Sequence, residues 1–191
     1  MAFLPIYNCF HPIMKQKTEQ VKEFDGSLKG LVDDMFETMY KADGLGLAGN
    51  QVGKLQSIIV IDTANKEKSG KKPRPMAFIN PVIEFFSEEE NEFQEGCLSV
   101  PTLYENIDRP EMIQVKYFDV NMKEHTIEAD ELLARVLQHE IDHLNGILFF
   151  ERLSPLKRAL ARGKLKKIQN GDLLPSYSMV QPNGSLYIPE D

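Results

Sequence analysis

Three things are scarce in this 191-residue chain, and each scarcity removes a class of protein. Cysteine occurs only as Cys9 and Cys97. That is too few for a disulfide scaffold, so the fold must rest on an apolar core and both thiols stay free for other work. Long apolar runs are missing: no stretch approaches the roughly 18 residues that a membrane-crossing helix needs. The opening Met1-Ala2-Phe3-Leu4-Pro5-Ile6 lacks the basic stretch and apolar run of a secretion signal, and also the Arg-rich look of a transit peptide. A reduced, cytoplasmic setting is the expectation, with no membrane partner. Positive charge is the third shortage. Lys and Arg number 22 against 29 Asp and Glu, a net charge of -7, which argues against a DNA binder while leaving room for a local basic patch. What remains, 42% hydrophobic and 27% charged residues, fits an ordinary globular chain long enough to bury a core.

Residues 1–24 mix Pro5 and Pro12 with short apolar pieces and read as an extended arm over the surface. Leu28, Leu31, Val32, Met35, Phe36, Met39 and Tyr40 recur at three and four residues, predicting a helix from Ser27 to Ala42 with Ser27 as its cap. A glycine-rich turn, 44–51, leads to a strand, 57–61, whose unbroken apolar run predicts burial on both faces. Residues 64–75 read as a mobile polar loop. Strands are expected at 76–80 and 82–86 around Pro81, then an acidic turn at 87–92, a strand at 112–118 and a hairpin into 124–127. Asp130 could cap a helix ending at Asn145-Gly146, and Ser154-Pro155 starts a last helix. This organisation predicts one catalytic domain over residues 1–169 and an irregular tail over 170–191, where Pro175, Pro182 and Pro189 fall.

Chemistry concentrates in Gln138-His139-Glu140-Ile141-Asp142-His143. On a helix His139 and His143 share a face one turn apart, so both imidazoles can reach one cation, and Glu140 is placed to handle protons beside it. Chance alone produces H-E-x-x-H on the order of once in a few hundred chains of this length. The flanks, Leu132, Leu133, Val136, Leu137 and Leu144, are apolar, so the polar groups face inward and need partners. A metal supplies one; a core network of hydrogen bonds would be another.

A third ligand distinguishes the options. After His143 the acidic residues are Glu151, Asp172, Glu190 and Asp191, either too close or in the tail, so the donor should come from upstream. Glu95-Gly96-Cys97-Leu98-Ser99 offers Cys97, whose thiolate suits soft or borderline divalent ions. A single cysteine is more often a small buried hydrophobe, and Cys9 is read that way.

Three segments together resemble the peptide deformylase family: Gly44-Leu45-Gly46-Leu47-Ala48-Gly49-Asn50-Gln51, Glu95 to Ser99, and Gln138 to Gly146. The last two match the family pattern throughout; the first departs at Gly49, where the family usually has alanine. The similarity extends over about residues 1–168. It implies an α+β fold, antiparallel and mixed sheets around a central metal-binding helix. It also implies hydrolytic removal of the formyl group from N-formylmethionine at the start of nascent peptides. Cys97, His139 and His143 would hold one divalent ion, Fe²⁺ physiologically, with Zn²⁺, Ni²⁺ or Co²⁺ able to replace it. Glu140 would carry the proton, and the Gln51 amide and Leu98 N–H would donate to the formyl oxygen. Glu95 and Arg109 would form a supporting ion pair. Gly46 would admit the peptide backbone, and Leu45, Phe93, Leu132 and Val136 would line the methionine pocket.

The basic run of the last helix, Lys157, Arg158, Arg162, Lys164, Lys166 and Lys167, implies by the same resemblance a contact with the ribosome. Two other readings compete. A zincin-like metallopeptidase would need a third ligand after His143. A catalytically silent homologue that binds formyl-peptides or ribosomes would need neither Glu140 nor Gln51.

Overall fold

Helix α2, Glu131–Leu144, stands at the centre of the molecule, and every residue from Ala134 to Leu144 on it is buried. The computed structural model describes residues 3–63 and 75–190; the expected loop at 64–75 lies, save its last residue, outside them. Two further helices, α1 (Gly26–Lys41) and α3 (Pro155–Asn170), flank α2. The strands are β1 (Ile6–Tyr7), β2 (Gly46–Ala48), β3 (Ile58–Ile61), β4 (Met76–Phe86), β5 (Glu90–Cys97), β6 (Val100–Pro110), β7 (Ile113–Phe118), β8 (Glu124–Ala129), β9 (Met179–Val180) and β10 (Leu186–Tyr187). Among the described residues they form an antiparallel sheet in the order β2-β3-β4-β7-β8, a β5-β6 hairpin, and a small mixed sheet, β1-β9-β10. The class is α+β.

The five-stranded sheet presents Ile59, Ile61, Phe78, Ile113 and Val115 to the apolar stripe of α2, including Leu137, Ile141 and Leu144. A second apolar cluster joins α1 to the sheet through Val32, Met35, Met39, Ile58 and Val60. Strand β3 is buried at all four positions, as its unbroken apolar run requires. Strand β4 runs through Pro81 as one strand rather than two. The register shifts between Ile79 and Val82, and Asn80 takes a positive φ of 52°, so the proline sits in a bulge that needs no N–H from it.

Several sequence expectations need correction. The first residues are not a surface arm: Ile6, Asn8, Cys9 and Met14 are buried, and Pro12–Lys15 form a short 3-10 helix. Helix α1 is capped by Asp25, which accepts from Ser27 N at 2.9 Å and Leu28 N at 3.2 Å, while the Ser27 hydroxyl donates to the same carboxylate. The glycine-rich stretch is not one turn but strand β2 followed by a 3-10 helix, Gly49–Val52. The acidic turn holds the start of β5, and β6 was not expected at all.

The tail expected to be irregular over 170–191 contains β9 and β10. Its prolines fall outside both short strands, and Ile6–Tyr7 offers an edge to pair with, so Met179 and Val180 are buried against β1. Within the described residues no helix is long and apolar enough to cross a membrane.

Candidate metal centre

Three side chains from two elements meet beneath a large cavity. Strand β5 ends in Cys97, which pairs with Val100 across the two-residue Leu98-Ser99 tip of the hairpin, so the thiol projects from a tight turn. Gly96, just before it, lies so close to Tyr104 that an added Cβ would meet the ring at 2.5 Å. Helix α2 supplies His139 and His143, one turn apart, with ring centroids 4.9 Å from each other and planes at 82°. The ligand atoms of Cys97, His139 and His143 all lie within 4.8 Å of one another, and Cys97 Sγ is 3.2 Å from His143 Nε2.

A tetrahedral ion bound at ordinary zinc–sulfur and zinc–nitrogen lengths separates such atoms by about 3.4–3.6 Å. The Cys97–His143 separation of 3.2 Å falls just under that spacing, and the other pairs lie within 4.8 Å, so small adjustments would seat an ion. The donors are of the right kind too, one thiol and two imidazoles, a set suited to late first-row divalent metals.

The protonation pattern carries the same message. His143 is buried, and burial, with the charges of His139 and Arg109, pushes its pKa well below the ordinary value, which keeps it neutral. Burial works against a charge on His139 as well, but bonds to Cys97 and Glu95 outweigh it and raise its pKa. A cation between Cys97 and His139 takes over what that proton does for the thiol. Glu95 Oε2 lies 2.8 Å from His139 Nδ1, which fixes the tautomer and turns Nε2 toward Cys97.

Glu95 is itself held by a buried network. Arg109 donates to it from Nε at 2.6 Å and from Nη2 at 2.9 Å, and Arg135 donates from Nη1 at 3.0 Å. Burial opposes the charge on Glu95, but His139 and Arg109 overcome it and hold the carboxyl well below the usual carboxylate range. Arg109 also donates to Asp142 at 2.6 Å, and Arg152 grips that carboxylate from the other side. Sequence reasoning missed Arg135, Asp142 and Arg152. A signal existed for Arg135, which lies four residues before His139 on one helix face.

Glu140 is buried, and its Oε2 has no hydrogen-bond partner among the described residues. Burial, followed by the nearby Glu95 and Asp142 charges, raises its pKa to about 7, against opposition from His139 and Arg109. Gly46 packs directly on it: an added Cβ would sit 2.6 Å from Glu140 Oε1 and 2.8 Å from Val136 Cγ1. Gln51 is anchored through Oε1, which accepts from Ala48 N at 2.8 Å. Its Nε2 is thereby turned inward, 3.2 Å from Ser99 Oγ and 3.6 Å from Cys97 Sγ. Gly49 fits where alanine would not, since a Cβ there would meet Gln56 O at 2.5 Å.

The cavity, of about 1160 Å³, is lined by Leu45, Gly46, Gln51, Phe93, Glu95, Cys97, Leu98, Leu132, Val136, His139 and Glu140. His143 and Arg109 lie behind that lining, 0% and 2% exposed. Arg135 stacks on Phe93, its guanidinium 5.1 Å from the ring centroid.

Comparison with known proteins agrees with this geometry. A family profile described as Polypeptide deformylase matches residues 3–159. The peptide deformylase of Brucella suis biovar 1 (strain 1330) is 43% identical over 168 residues, covering 88% of this chain and 94% of the relative. That of Zymomonas mobilis subsp. mobilis is 47% identical over 168 residues, with 87% and 95% covered. Among solved structures, the Ehrlichia chaffeensis peptide deformylase superposes with a TM-score of 0.81 at 42% identity, covering 91% of this chain and 100% of that one. A Synechococcus elongatus peptide deformylase in complex with actinonin gives a TM-score of 0.77 at 37% identity, with 88% and 87% covered.

Proposed function

The chain belongs to the polypeptide deformylase family, and from that premise we propose how its residues divide the work. The protein is a metal-dependent hydrolase of protein biosynthesis that removes the formyl group from N-formylmethionyl nascent polypeptides, releasing formate. The observation that carries the residue assignment is the convergence of Cys97 Sγ and the His139 and His143 imidazoles within 4.8 Å, with Glu140 beside them. These three side chains hold the ion. When bound, it supplies Lewis acidity that makes water nucleophilic near neutral pH.

Glu140 accepts the proton from the attacking water and returns it to the amine nitrogen as the bond from the formyl carbon to nitrogen breaks. Hydrolysis then balances as formate plus a free amino terminus. A carboxyl raised to about 7 by burial can serve in both directions, and a cation beside it draws it back toward the ionised form that accepts. Gln51 Nε2 and the Leu98 N–H donate to the formyl oxygen as it gains negative charge, each such donor contributing roughly 3–4 kcal/mol. Gly46 leaves room for the peptide backbone, and Leu45, Phe93, Leu132 and Val136 take the methionine side chain. Glu95 and Arg109 keep the His139 ring in place. This machinery sits within residues 1–169.

Neither competing reading is favoured. The zincin-like peptidase needs a donor after His143, yet Glu151 is occupied by Lys15 and by Leu148 N. A silent binding protein has no use for a buried proton carrier.

The test is formate release from formyl-Met-Ala-Ser by protein prepared without oxygen. Replacing Glu140 by alanine should lower the rate by about 10²–10⁴ while the metal is retained. A metal-replete E140A protein working at the wild-type rate would refute the assignment.

Fe²⁺ is our proposal for the physiological ion, with Zn²⁺, Ni²⁺ and Co²⁺ able to occupy the same donors; elemental analysis of protein purified without oxygen decides it. Two free cysteines support a cytoplasmic, reducing setting. We also propose contact with ribosomal RNA through α3. Arg158, Arg162 and Lys166 line a surface hollow there beside Phe10 and Phe150. Cosedimentation with ribosomes should weaken as salt rises, and salt-independent or absent association would count against it.

A further inference from the structure

The C-terminal tail closes one side of the cavity. Leu174, Pro175, Ser176 and Tyr177 all line it, and all lie beyond residue 159, where the match to the family profile ends. The tail is firmly seated. Ile6 N donates to Ser178 O at 3.0 Å and Asn8 N to Val180 O at 2.9 Å, Met179 is fully buried, and Leu173 packs against the core beneath α3.

Tyr177 ties this segment to the metal centre. Its hydroxyl donates to Leu98 O at 2.6 Å, between the hairpin-tip positions that carry Cys97 and Ser99. Burial, followed by the charge of Cys97, raises the phenol's pKa far above its ordinary value, so it remains a donor. The Leu98 side chain in turn fills the space beside Gly44, where an added Cβ would meet Leu98 Cδ1 at 2.7 Å.

The two walls belong to different parts of the core. Leu45, Leu132 and Val136, assigned above to methionine, pack with the cluster around α2, whereas Leu98 and Tyr177 pack with the cluster around α1. A peptide whose first side chain lies against the α2 wall has only its later residues left to meet the tail.

We propose that Leu174–Tyr177 is a specificity-determining wall for the peptide beyond its formylated first residue, with Tyr177 as the positioning residue that holds it against Leu98. This rests on the deformylase reading above. The wall is largely apolar at Leu174 and Pro175, so it favours apolar side chains over acidic ones at the second and third substrate positions.

The test compares kcat/KM for formyl-Met-Leu-Leu and formyl-Met-Asp-Asp. The ratio of the two is the readout, because loss of fold or metal lowers both rates alike. The wild-type protein should prefer the leucine peptide. Leu174→Asp should cut the ratio by roughly fivefold or more, chiefly through KM. Leu174 is 42% exposed, so the change removes little core, and Leu174→Ala should move the ratio the same way by less if the aspartate variant fails to fold. Tyr177→Phe, which removes one hydroxyl, should also bring the ratio closer to one. Unchanged ratios in the Leu174 variants overturn the wall; an unchanged ratio in Tyr177→Phe alone overturns the positioning role. Absence of formate from both peptides with metal-loaded wild-type protein would instead refute the deformylase reading.

Discussion

Replacing Gly46 by alanine adds one methyl group, and the structure says where it goes. Gly46 lies in strand β2 with an ordinary backbone conformation, so nothing but space demands glycine there. The new Cβ would stand 2.6 Å from Glu140 Oε1, 2.8 Å from Glu140 Cγ and 2.8 Å from Val136 Cγ1. Comfortable contacts are about 3.5–4.0 Å, so the carboxylate must retreat by about 1 Å. A displacement of that size in a reacting group costs on the order of 10²-fold in rate, or about 2.7 kcal/mol of barrier. Overpacking takes about 1–3 kcal/mol of stability besides. Formate release at saturating formyl-Met-Ala-Ser reads the first effect and thermal unfolding the second. Adding Val136→Ala relieves one of the three contacts and should recover part of the stability but little of the rate, since both contacts with Glu140 persist. Near-wild-type kcat in Gly46→Ala would refute the placement of Glu140.

Three further outcomes follow from the same coordinates. Gly49→Ala should destabilise by about 1–3 kcal/mol, lowering Tm by about 2–4 °C for each of them, because its Cβ would meet backbone, Gln56 O at 2.5 Å, that cannot swing aside; an unchanged melting curve contradicts this, although alanine is usual in the family at that place. Arg109→Leu removes two bonds from buried Glu95 and one from buried Asp142, leaving Arg135 and His139 on the first and Arg152 on the second. The expected loss is near 3 kcal/mol, the low end for a broken buried pair, measured by urea unfolding. Glu151 is held below its ordinary value of 4.5: burial pushes it up, but Lys15 and the Leu148 N–H outweigh that. Its contribution is therefore complete above about pH 4.5 and lost as pH falls through the lower folded value. The stability gap between wild type and Glu151→Gln should narrow on acidification across that window, and a gap that widens would reverse the sign.

The metal helix and its C-terminal end were legible from local pattern, because apolar spacing and Asn145-Gly146 act within a few residues of each other, whereas Asp130 takes the N-cap position without a side-chain capping bond. The β5-β6 hairpin was not. Glu88, Glu89, Glu90 and Glu92 make the start of that strand look like an acidic turn, and tertiary partners, above all Arg109 and Arg135 on Glu95, explain the carboxylate buried further along it. The Asp25 cap was hidden by Ser27, a residue equally able to cap, two positions later. The tail failed for a different reason. Two-residue strands leave no period to read, and β9 pairs on one side with β1, more than 170 residues earlier, and on the other with the equally short β10. At the site, residue types and order pointed to Cys97, His139, His143 and Glu140. Of the support behind them, Asp142 and Tyr177 depend on contacts that no spacing rule encodes, while Arg135 is marked only by its four-residue spacing from His139.

The most direct measurement is X-ray absorption at the metal edge of protein loaded with one equivalent of zinc. One sulfur near 2.3 Å and two imidazole nitrogens at about 2.0–2.1 Å are predicted, with the sulfur shell lost in Cys97→Ser. A wild-type spectrum containing only nitrogen and oxygen neighbours, or a sulfur shell surviving in Cys97→Ser, would contradict the account.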